Sequence, residues 1–106
     1  MGVFDDAVIQ EAGRRILQAA PPGSRVILFG SHARGQASEH SDLDFLVIEP
    51  EVEDVVDESV RLRRTLDGLK VWADIIVRSE ESVREWRDVY GTVINSALRE
   101  GREIAA

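Results

Sequence analysis

Two short apolar runs, Val26-Ile27-Leu28-Phe29 and Phe45-Leu46-Val47-Ile48, are separated by a polar stretch that opens on Gly30-Ser31 and closes on Asp42-Leu43-Asp44. No other feature constrains the fold as strongly. Each run reads as a buried strand, so the chain leaves a sheet through a small-residue turn and re-enters it on acidic residues. Residues two apart in a strand share a face and lie about 7 Å apart along the chain. Asp42 and Asp44 therefore set two carboxylates side by side at the edge of an apolar sheet. Charges so placed are costly unless a cation stands between them, and oxygen-only donors suit a hard ion such as magnesium. Gly30 and Ser31 offer small side chains and free backbone N–H groups to a phosphate. Taken singly, a D-x-D pair is usually a solvated strand edge and Gly-Ser a plain turn. Joined, with apolar runs on both flanks, they point to a nucleotide and metal site.

The rest of the chain alternates helix and strand. Phe4, Val8, Ile9, Ala12, Ile16 and Leu17 recur at helical spacing over residues 4 to 20, and Pro21-Pro22-Gly23 ends that helix. Arg25 to Phe29 is the first strand. Residues 31 to 41 form a turn with at most a short helix, and Leu43 to Ile48 is the second strand. Val52, Val55, Val56, Leu62, Leu66 and Leu69 define a second helix over residues 51 to 69. A third strand spans residues 71 to 77, and Ser79 caps a third helix that runs through Trp86, with Glu80 and Glu81 in its first turn. Val93, Ile94, Ala97 and Leu98 give a last helix stopped by Gly101, and residues 102 to 106 add a small edge strand. The pattern is one α/β domain over residues 1 to 106, without repeats or linkers.

Asp74 interrupts the third strand as Asp44 interrupts the second. On adjacent strands, Asp42, Asp44 and Asp74 would form a cradle for two ions about 4 Å apart, which can stabilise both oxygens of an in-line phosphoryl displacement. Asp74 would share a metal and accept the proton of the attacking hydroxyl. Read blandly, Asp74 is an ordinary strand-end carboxylate. Arg34 suits a triphosphate or a partner's carboxylate, and His32 and His40 read as polar loop residues rather than ligands. Trp72 and Trp86 read as core or partner-interface anchors. Arg61, Arg63 and Arg64 belong on a solvated helix face, paired with Asp57 or Glu58.

Composition excludes several classes. No apolar run approaches the roughly 20 residues needed to span a bilayer, and the N-terminus lacks the basic start and apolar segment of a signal peptide. The absence of cysteine removes disulfides and thiolate metal sites and fits a cytoplasmic location. A net charge of −7 argues against general binding to a nucleic-acid backbone but leaves open a basic protein partner.

The string GSHARGQASEHSDLDFLV resembles the signature of the DNA polymerase β-like nucleotidyltransferase superfamily, and its wording is similar to the minimal nucleotidyltransferases (MNT proteins) of prokaryotes. The first helix, Asp74 and the closing SALREGREI extend the resemblance over nearly the whole chain. It implies a mixed β-sheet with helices packed on one face and an open nucleotide and metal cleft on the other. It also implies transfer of a nucleoside monophosphate, usually adenylate from ATP, to an acceptor hydroxyl. Carried over, Gly30 and Ser31 hold phosphates, Arg34 is the basic loop residue, Asp42 and Asp44 bind Mg2+, and Asp74 is the third carboxylate. No second domain remains to bind an acceptor, so another protein or a second copy must hold it. The resemblance points to the antitoxin of a type VII-like HEPN/MNT toxin–antitoxin pair, adenylylating a tyrosine of a HEPN-domain RNase toxin. Two alternatives stand beside this: an antitoxin that neutralises by docking alone, and a transferase whose small-molecule or RNA acceptor is held by another subunit.

Overall fold

In the computed structural model, residues 6–30, 33 and 42–104 are described. Ser31, His32, Arg34 and His40 lie outside them. Helix α1 (Asp6–Ala19) presents Ile9, Ala12 and Ile16 to the core and ends before Pro21. Strand β1 (Arg25–Phe29) pairs antiparallel with β2 (Leu43–Glu49), from Arg25 opposite Ile48 to Phe29 opposite Asp44. Helix α2 (Val55–Arg64) then crosses to β3 (Ala73–Ser79), which lies parallel to β2. Helices α3 (Glu80–Trp86) and α4 (Val93–Glu100) follow, and β4 (Arg102–Ile104) returns antiparallel to β1. The sheet is mixed, in the order β3-β2-β1-β4.

Alternation along the strands sorts the core into two layers. Val26, Leu28, Leu43, Phe45, Val47, Ala73 and Val77 face α1 and α2. Ile27, Leu46 and Ile48 face the other way, against Val83 of α3 and Ile94 and Ala97 of α4. The open face is thus covered over part of its length by α3 and α4. Helices on both sides explain why β2 is buried from Phe45 to Glu49 rather than alternating.

Expected boundaries move where local hydrogen bonds decide them. The second helix starts at Val55 because Asp54 accepts from the N–H groups of Val56 and Asp57 at 3.0 and 3.1 Å. It stops at Arg64, with Val52, Leu66 and Leu69 packed on the core from outside the helix. Ser79 caps α3 as expected, accepting from the N–H of Ser82 at 3.1 Å. The third strand begins at Ala73, two residues later than its apolar run, while Trp72 still accepts from the N–H of Leu43 at 2.8 Å.

Candidate active site

The site lies at the end of the sheet where β1 finishes and β2 and β3 begin. Asp44 and Asp74 are direct partners across the parallel β2–β3 ladder, so their side chains leave the same face. That face is also the one carrying Leu46 and Ile76, and Phe29 of β1 completes the row opposite Asp44. Asp42 is exposed just before β2, Asp44 is half-buried and Asp74 is exposed.

Gly30 sets the approach between the turn and the carboxylate. Its φ of +78° is a left-handed conformation that side chains resist. A Cβ there would run into Oδ2 of Asp44 and sit 3.2 Å from its Cγ. The turn after β1 therefore touches the second aspartate of the D-x-D pair through a space that only glycine leaves open. This links the two halves of the sequence motif through the chain itself.

Two depressions meet at Asp74. One, of about 460 Å³, is walled by Phe29, Asp44, Asp74, Ile76, Val60 and Arg63. The other, of about 290 Å³, includes Asp42, Asp74, Arg63, Trp72 and Leu66. Asp74 and Arg63 line both and so stand between them. The sequence pattern puts Arg63 on a solvated face with its neighbours. Arg61 follows that reading, donating to Glu58 at 2.7 Å, and Arg63 is likewise exposed, while also lining both depressions with Asp74. Nothing in the sequence separates Arg63 from Arg61 and Arg64; its place along both depressions comes from the β2-α2-β3 crossover, which lays the last turn of α2 beside that end of the sheet.

The three aspartates share one end of the sheet, Asp44 and Asp74 in direct register and Asp42 just ahead of β2. Among the described residues, no three acidic or imidazole side chains stand close enough to hold a metal together. Asp42 precedes the strand that fixes Asp44. The donor chemistry still fits a hard cation: oxygen ligands only, two of them in register, with Gly30 pressed against one. Ser31 and Arg34 fall outside the described residues. Trp72 is 76% exposed, which removes the core reading for it and leaves the anchor reading.

A model of the nucleotidyltransferase domain family matches residues 11–103. "Putative protein adenylyltransferase MJ1305" of Methanocaldococcus jannaschii is 36% identical over 80 residues, which cover 76% of this chain and 44% of that protein. The chain thus spans less than half the length of that relative. A solved toxin–antitoxin with AMP-PNP superposes with a TM-score of 0.64 at 17% identity, covering 92% of this chain and 73% of the other. A variant of the toxin–antitoxin MntA-HpeT superposes with a TM-score of 0.62 at 18% identity, covering 98% and 74%. At those identities the two structures establish the shared mixed-sheet fold. No helix among the described residues is long and apolar enough to cross a membrane.

Proposed function

Because the chain belongs to the nucleotidyltransferase domain family, we propose that it transfers AMP from ATP to a hydroxyl group on a partner protein. The observation that carries this reading is the Asp44–Asp74 register beside Gly30. Asp42 and Asp44 would hold Mg2+, with Asp74 sharing it, and Ser31 and Arg34 would meet the phosphates with Gly30. Bound magnesium would neutralise the triphosphate and the charge that develops as it is cleaved.

The chain's own groups then have separate tasks. The acceptor oxygen attacks the α-phosphorus, its proton passes to the Asp74 carboxylate, and the bond to the departing pyrophosphate breaks. Asp74 suits this role because it faces both depressions, one on the Asp44 side and one on the Trp72 side. Arg63, positioned between them, opposes negative charge on the transferring group. A rigid two-strand platform keeps base and phosphate donors in fixed relation, which is the condition for large proximity gains.

The partner is read as a HEPN-domain RNase toxin, with a tyrosine as the acceptor and this chain as its antitoxin. Support comes from the adenylyltransferase name of the Methanocaldococcus jannaschii relative and from the toxin–antitoxin assemblies that share the fold, one of them holding AMP-PNP. The site occupies one end of a small sheet and leaves the second depression, beside Trp72, open to an incoming acceptor. The test is incubation of the protein and its toxin with ATP labelled in the α-phosphate and Mg2+. Label on the toxin that vanishes with Asp44→Asn and Asp74→Asn supports transfer. Neutralisation without label supports docking alone, and label on an RNA end or a small molecule moves the acceptor to another class.

A further inference from the structure

Trp72 leads into β3 and is 76% exposed. Its main chain is nonetheless fixed: the carbonyl accepts from the N–H of Leu43 at 2.8 Å, so the β2–β3 ladder reaches one residue ahead of the strand. Residues two apart on such a ladder share a face, about 7 Å apart along the chain. The indole therefore leaves the sheet on the side of Asp74, and the two side chains line the same depression. Just before it the chain turns sharply. Lys70 holds a φ of +56°, the one positive value outside glycine among the described residues, and Gly68 stands at +91°.

Trp72 also borders a third depression, of about 350 Å³, which includes Gly68 and Lys70 but neither Asp42 nor Asp74. Leu66 and Val71 wall both spaces and pack on the core, so the floor is apolar on either side of the indole. Trp72 thus stands along a trough that runs from Asp74 to the turn at Gly68–Lys70. Folding gives no reason for a large aromatic there, since its apolar area stays in water. A rigid ring with two χ angles loses little entropy when a ligand covers it, which suits a binding platform.

We infer that Trp72 selects the acceptor: a tyrosine of the partner stacks its ring on the indole and extends its hydroxyl to Asp74. The inference rests on the transfer reading given above. Geometry limits the occupant. The hydroxyl must cross the roughly 7 Å from Trp72 to Asp74 while its carrier lies on an aromatic face. A phenol meets both conditions, with a flat ring to stack and its oxygen at the far end. Serine and threonine carry the hydroxyl one bond from Cβ and have no ring, so the partner's backbone would itself have to enter between Trp72 and Asp74. The third depression receives the residues that flank the tyrosine. At Asp74 the phenolic proton passes to the carboxylate, the oxygen bonds to the α-phosphorus, and pyrophosphate leaves.

The experiment titrates the intact protein, loaded with Mg2+ and AMP-PNP, with N-acetyl-tyrosine amide while the indole N–H resonances of Trp72 and Trp86 are followed. Trp72 shifts upfield and saturates, Trp86 stays in place, and N-acetyl-serine amide moves neither. Followed at the amide of Asp74, Trp72→Ala weakens binding of the tyrosine probe about tenfold, the worth of a stacked aromatic pair with its covered area, and Trp72→Phe restores most of it. Both substitutions fall on an exposed side chain, so folding is not at stake. With α-labelled ATP in place of AMP-PNP, Trp72→Ala raises KM for the tyrosine probe by a similar factor and leaves KM for ATP unchanged. An upfield shift of the Trp72 indole on adding AMP-PNP alone, or a rise in KM for ATP instead, makes the indole a platform for the base and overturns the inference. Equal binding of the serine and tyrosine probes overturns it as well. The titration needs no turnover, so the two readings fail separately: label transferred without dependence on Trp72 refutes this inference alone, and tyrosine bound at Trp72 without label refutes the transfer alone.

Discussion

Replacing Gly30 by alanine separates backbone strain from damage to the site. The positive φ of 78° costs an L-residue about 1–2 kcal/mol. Alanine also restricts the unfolded chain, which returns about 0.4–1 kcal/mol. The net loss is roughly 1 kcal/mol, or a fall in Tm of about 4–8 °C for a domain of this size. Gly68 supplies the matched control, with φ +91° and nothing within 4 Å of the place an alanine methyl would take. Both alanine variants should lose similar stability by thermal denaturation. Only Gly30→Ala displaces Oδ2 of Asp44, and a shift of about 1 Å in a reacting group costs about 100-fold in rate. The proposed AMP transfer, followed with labelled ATP, should therefore fall about 100-fold in Gly30→Ala and stay near the parent rate in Gly68→Ala. Equal transfer rates in the two variants would refute the proposed contact between the turn and Asp44.

Other outcomes follow from the same structure. Arg63→Ala should slow transfer about 10- to 100-fold with little change in Tm, since Arg63 is exposed and stands between the two depressions; Arg64→Ala, checked in parallel, should leave the rate unchanged. Phe45, fully buried in the core under α1 and α2, should cost about 3–5 kcal/mol when cut to alanine, read from denaturant unfolding. Glu49 has a folded pKa raised from 4.5 to about 8. Its contribution is fully present below 4.5 and is lost as pH rises through 8, on the order of a few kcal/mol. Glu58 runs the opposite way, held down to about 2 chiefly by its hydrogen bonds from Arg61, so its contribution is lost as pH falls from 4.5 through 2. Denaturation across this range should show stability falling on the alkaline side, and Glu49→Gln should flatten that limb.

The β2–β3 platform was legible because its signals are local and periodic. Apolar runs marked β1 and β2, and Ser79 announced the start of α3 through a cap that the structure retains. The acidic residues stood out because Asp44 and Asp74 each break a strand that is otherwise apolar. What the sequence withheld depends on packing between distant segments. The face-sharing of Asp44 and Asp74 needs the parallel register, which no local pattern encodes. Arg63 looks like any arginine of an amphipathic helix until the crossover sets it along the same two depressions as Asp74. Glu49 ends an apolar strand and reads as its polar terminus, yet the start of α2 folds over it and buries it. Residues 51 to 54 followed the helical stripe in composition, but the side chain of Asp54 competes for the first N–H groups and sets the helix start.

A divalent ion and a nucleotide are expected to bind where β2 and β3 begin. Paramagnetic broadening of amide resonances by Mn2+ with AMP-PNP tests it directly, because the effect falls steeply with distance from the ion. Signals of Gly30, Asp42, Asp44 and Asp74 should disappear first, and should survive in Asp44→Asn. Broadening centred on residues 49 to 58, or unchanged by Asp44→Asn, would contradict it.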